Sequence, residues 1–163
     1  MPVTRLLNLA RKVWRAGKWF RLSREERGLM LRALPLVAVV RLGLSALPYQ
    51  TVRKWAARLA PQVGKGRDDA MTPREIGGLM QGIERASRLI PKATCLTQAI
   101  TAQVMLARRG QAARLHIGVA RGESAKFEAH AWIECGNRII IGGLGRGGTE
   151  TQRFTPLVSF DAL

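Results

Sequence analysis

Apolar residues recur every three or four positions through the first two thirds of the chain and every second position in the last third. The pattern predicts helices followed by strands. Thr4 to Phe20 reads as a basic amphipathic helix. Ser23-Arg24-Glu25-Glu26 has the spacing at which a hydroxyl and a carboxylate cap a helix start reciprocally, and it opens a second helix that Pro35 is expected to kink. A third helix is expected from about Tyr49 to Ala60. Thr72-Pro73-Arg74-Glu75 repeats the capping pattern with Pro at the first helical position, which predicts a helix to about Ile90, ended by Pro91. The last helix begins near Thr94 or Cys95 and is closed by Gly110, after two arginines that suit a helix C-terminus.

From Ala113 the period becomes two. ARLHIGVA, FEAHAWIEC and RIIIGG are predicted as three short antiparallel strands, the last two joined at Gly136-Asn137, and FTPLVSF adds a further short extended segment. The stretch PQVGKGRDDA, Pro61 to Ala70, combines Pro, Gly and opposite charges and is the best linker in the chain. It divides a basic helical region, residues 1–67, from residues 68–163. The length of 163 residues suits one compact domain with an elaborated N-terminal half.

Charge sharpens that division. The net charge is +16, and Met1 to Arg67 holds fifteen Lys or Arg against Glu25 and Glu26 alone, so this part carries +13. Such a surface suits nucleic acid, anionic lipid or an acidic protein, and net charge cannot choose among them. Arg32, Pro35 and Arg41 interrupt the most apolar window, Leu29 to Pro48, so no spanning helix is expected. No apolar stretch with a small-residue cleavage site follows the N-terminus, and the expected location is the cytoplasm. In that compartment Cys95 and Cys135, the only cysteines, are expected to stay reduced.

Cys95 falls in the first turn of a helix, where unpaired amides and the helix dipole favour an anion. Small buried cysteines are also common in helices, so position alone decides nothing. His130 adds to it, because the alternation puts Glu128, His130, Trp132 and Glu134 on one strand face and Ala129, Ala131, Ile133 and Cys135 on the other. Cys95, His116, His130 and Cys135 lack the Cys-x-x-Cys or His-x(3–5)-His spacing of a zinc set, and His116, between Leu115 and Ile117, reads as structural. Trp14, Trp19 and Trp55 interleave with basic residues, at helical spacings that favour packing over base stacking.

TCLTQAITAQVMLARRGQAARLHIGVA followed by FEAHAWIECGNRIIIGG resembles the transglutaminase-like domain of the lasso-peptide leader peptidases, over roughly Leu89 to Phe160. The resemblance implies an α+β fold of the papain and transglutaminase type, with an all-helical N-terminal half and a three- or four-stranded antiparallel sheet. It implies a cysteine protease in which Cys95 is the nucleophile and His130 the acid–base, with no metal or cofactor. Its substrate would be a lasso precursor, cut at the leader–core junction to free the amine that an asparagine-synthetase-like cyclase needs. With no β-rich recognition segment before the basic helices, the chain is expected to be the stand-alone peptidase of a pair, served by a separate leader-recognition protein. Nucleic acid is not an expected partner. A basic nucleic-acid-binding protein and a transglutaminase or amidase using the same Cys-His pair are the rival readings.

One position departs from the family pattern. The acid expected about twelve residues after the histidine is replaced by Gly142, beside Gly143. A two-residue turn would pair His130 with Gly143 and a three-residue turn with Gly142, leaving a backbone carbonyl, a water or a carboxylate from Glu128, Glu134, Glu150 or Asp161 to orient the ring.

Overall fold

The computed structural model describes residues 22–60, 71–121, 127–136, 138–141 and 154–161, and hydroxyl caps start three of the four helices among them. The helix expected over Thr4 to Phe20 and the linker Pro61 to Ala70 lie outside the described residues. Helix α1 spans Arg24–Ala46, α2 Tyr49–Leu59, α3 Pro73–Ser87 and α4 Cys95–Ala107. At α1 the Ser23 Oγ accepts from the Glu26 amide at 3.1 Å and the Glu26 carboxylate accepts from the Ser23 amide at 2.8 Å. Thr72 and Glu75 repeat this at α3. These backbone bonds hold both carboxyls below their usual range, so their contribution to the helix starts is present at neutral pH and is lost as acid protonates them.

Pro35 does not end α1, which continues to Ala46. The carbonyl that loses its donor belongs to Leu31, four residues earlier, and both residues are exposed, so water can take the donor's place. Helix α3 stops at Ser87, three residues before the expected Ile90, and Gly110 turns the chain after α4 with φ 72°.

The strands are β1 Arg114–Arg121, β2 Phe127–Cys135, β3 Arg138–Ile141 and β4 Thr155–Phe160. They form one antiparallel sheet in the order β3-β2-β1-β4. The fold is α+β, with the helices gathered on one face of this sheet. That face carries Leu115, Ala131, Ile133, Cys135 and Ile141 into a single core with Met30, Val37 and Val40 of α1, Leu79 and Ile83 of α3, and Ile100, Val104 and Leu106 of α4. Helix α1, though basic, therefore belongs to the same core as α4 and the sheet. By length and composition alone α1 could also cross a bilayer. Its inner face is nevertheless spent on the core: Met30, Ala33, Leu36, Val37 and Val40 are buried.

Helix α4 is buried along most of its length, including the polar residues Thr97, Thr101 and Gln103. Thr101 Oγ1 donates to the Thr97 carbonyl at 2.8 Å. Gln103 Nε2 donates to the carbonyls of Ala113 at 3.1 Å and Asp161 at 3.0 Å, just before β1 and just after β4. One side chain thus ties the helix to two strand ends. Replacing it by Gln103→Leu is expected to leave both carbonyls without this donor and to lower stability by about 1–3 kcal/mol, read as a fall in the urea midpoint at unchanged slope.

Candidate active site

The N-cap of α4 is Thr94, whose hydroxyl accepts from the Thr97 amide at 3.4 Å, while Thr97 Oγ1 accepts from the Thr94 amide at 3.3 Å. A threonine stands where the usual box has Glu or Gln, so no carboxylate enters this first turn. Cys95 is the first helical residue. Its amide and that of Leu96 have no acceptor one turn earlier within the helix and point out of the helix end. The Cys95 side chain is half-buried and packs against the main core.

His130 is buried on β2, opposite Gly118 of β1. Its ring lies 6.3 Å from Trp132 with planes 17° apart, and 5.1 Å from Phe154 at 35°. Trp132 stacks in turn on His116, its cross-strand partner, at 5.4 Å and 14°. These rings occupy the sheet face away from the helices, with Ala120, Trp132 and Phe154 forming a small cluster of their own.

The structure brings the two elements together: α4, which begins at Cys95, packs on β2, the strand that carries His130. Both stand where burial of their element fades. Thr94 to Leu96 are exposed or half-buried before the buried body of α4, and Phe127 to Ala129 are exposed before the buried body of β2. Cys135 lies on the core side, its Sγ donating to the Ala112 carbonyl at 3.4 Å, and burial pushes its thiol up, away from the thiolate.

The turn after β2 does not keep one register. Cys135 pairs with Arg138 across a two-residue turn and Glu134 with Ile139, while Ile133 pairs with Ile141, a shift of register by one residue between Ile133 and Glu134. Gly142, Gly143 and Glu150 lie outside the described residues. Of the other carboxylates weighed, Glu134 is engaged by His116, with Oε2 2.8 Å from Nε2, and Asp161 by Arg114 at 2.8 Å. Glu128 shares the His130 face at the exposed start of β2.

Sequence reasoning passed over Gly118, Ser159 and the partners of His116. A glycine inside a strand pattern is a signal of close approach, and here a Cβ would meet the Thr155 carbonyl at 2.7 Å and Trp132 Cη2 at 2.9 Å. Nothing local marks Ser159, because its meeting with His116 depends on β4 pairing with β1.

Residues 36–159 match a family described as the transglutaminase-like superfamily, from the middle of α1 to β4 and across the division at residue 67. The chain belongs to the transglutaminase-like superfamily, a group of cysteine proteases and acyltransferases. No curated protein and no solved structure matches it.

Gly118→Ala is expected to force Trp132 or Thr155 to move, costing about 1–3 kcal/mol and altering the near-ultraviolet circular dichroism of the buried indole. Gly77→Ala, in α3 with nothing within 4 Å of the added carbon, is the control and should be neutral or stabilising.

Proposed function

We propose that the protein is a cysteine peptidase that removes the leader from a lasso-peptide precursor, with Cys95 as nucleophile and His130 as acid–base. The observation that carries this reading is Cys95 at the first position of a capped helix, packed on the strand of a transglutaminase-like sheet that holds His130. The thiolate attacks the carbonyl at the leader–core junction, and the resulting oxyanion is met by the amides of Cys95 and Leu96. Collapse breaks the C–N bond, the core leaves as an amine with a proton from the imidazolium, and a water deprotonated by the imidazole clears the thioester to the leader. These steps need thiol and ring within hydrogen-bond reach, a distance often attained only in the substrate complex. An amine in place of that water would make the same thioester a cross-linking intermediate, the second reading that the superfamily supports.

The expected outcome is that Cys95→Ala and His130→Ala each abolish cleavage of a lasso precursor while Cys135→Ala is nearly silent, followed by mass spectrometry of the products. Iodoacetamide labelling tests the pairing separately: His130→Ala should slow alkylation of Cys95 at mildly acidic pH. Labelling indifferent to His130, or a cross-linked rather than a shortened product, would overturn the peptidase dyad.

The basic helices are proposed as the docking surface for an acidic leader, a leader-recognition protein or an asparagine-synthetase-like cyclase. Between Arg27 and Arg67 the chain has eight Lys or Arg and no Asp or Glu. Stimulation of cleavage by a leader-binding protein is expected to weaken as salt rises from about 0.05 to 0.5 M, measured as initial rates. Salt-independent stimulation would remove the charge from the docking role.

A further inference from the structure

His116 is held at both ring nitrogens. Nδ1 lies 2.8 Å from Ser159 Oγ on β4, and Nε2 lies 2.8 Å from Glu134 Oε2 on β2, out of line for a hydrogen bond. The ring is therefore flanked from two neighbouring strands, by Ser159 and by Glu134. Its face meets Trp132 at 5.4 Å and 14°, and the indole continues to His130 at 6.3 Å and 17°. Three rings therefore stand in near-parallel planes along one sheet face, in the offset spacing that aromatic pairs prefer. Gly118 leaves the space that the edge of the indole fills, and Phe154 closes on His130 at 5.1 Å.

We propose that His116, anchored by Glu134 and Ser159, is a positioning residue that fixes Trp132 and through it sets the plane of the His130 ring. The inference rests on the reading of His130 as the acid–base, and it deepens that reading: at least part of what holds the ring is a stack clamped from β4 and from the far end of β2. The angle of an imidazole decides whether its nitrogen meets the proton it must move, so loosening the clamp lowers the chemical step without weakening substrate binding.

The test uses the full chain labelled with 15N-histidine, which gives two side-chain patterns because the protein has only two histidines. His116→Phe assigns them. In Glu134→Gln and in Ser159→Ala the His130 signals should shift or broaden, single-turnover cleavage should fall about tenfold or more, and KM should stay within about twofold. Ser159→Thr, which keeps the hydroxyl, should restore both. Thermal melting checks that the variants remain folded. The proposal is overturned if the His130 signals are unmoved in both variants, if the loss lies wholly in KM, or if Ser159→Thr behaves like Ser159→Ala. The nuclear magnetic resonance readout does not depend on cleavage: moved signals in a protein that cuts no precursor would support the clamp and sink the peptidase, and unmoved signals in an active peptidase would do the reverse.

Discussion

Burial of α4 between the other helices and the sheet is the constraint on which the rest of the structure depends. A helix enclosed on most sides must satisfy its polar side chains internally, and Thr97, Thr101 and Gln103 do so at its start, its middle and against the ends of β1 and β4. The Gln103 bonds tie the helix along its axis to the ends of β1 and β4, and its apolar side shares one core with Leu115, Ala131 and Ile133. Together they place Cys95 at a defined rim of the core, with its amide and that of Leu96 turned outward.

The sheet divides the chemistry between its faces. One face is given to the core, where Cys135 is a packing residue with its thiol pushed away from ionisation. The other gathers His116, His130, Trp132, Glu134 and Ser159 into a line of rings and anchors. Gly118 permits this arrangement, since a side chain there would occupy the place of the indole. The buried His116 ring is tolerable there because its Nδ1 meets the Ser159 hydroxyl.

The N-terminal half has a double character. Its arginines and lysines make the strongest charge asymmetry in the chain, while the inner side of α1 supplies Met30, Val37 and Val40 to the common core. Leu31, Val39 and Leu42 remain exposed on the outer side. The helix thus combines a structural face with a basic and apolar outer one, and a family match that begins at Leu36 agrees with its belonging to the fold rather than standing beside it.

Local signals in the sequence determined the helix starts at Ser23 and Thr72, the change from helical to strand period near Ala113, and Cys95 at a helix start ahead of a strand carrying His130. Each depends on residues within a few positions of one another, because caps and alternation are short-range effects. Pro35 is accommodated inside α1 because the carbonyl it leaves without a donor is on the exposed side, and which side of α1 is buried depends on the packing. Only the tertiary structure decided that β1 lies between β2 and β4, that Ser159 meets His116, that Gln103 ties three segments, and that a bulge after Ile133 shifts the returning strand. Those contacts depend on which strands pair and in what register, and a register that slips by one residue turns each side chain to the other face, so alternation could place Trp132 beside His130 but no local pattern could have named Gly118 or Phe154.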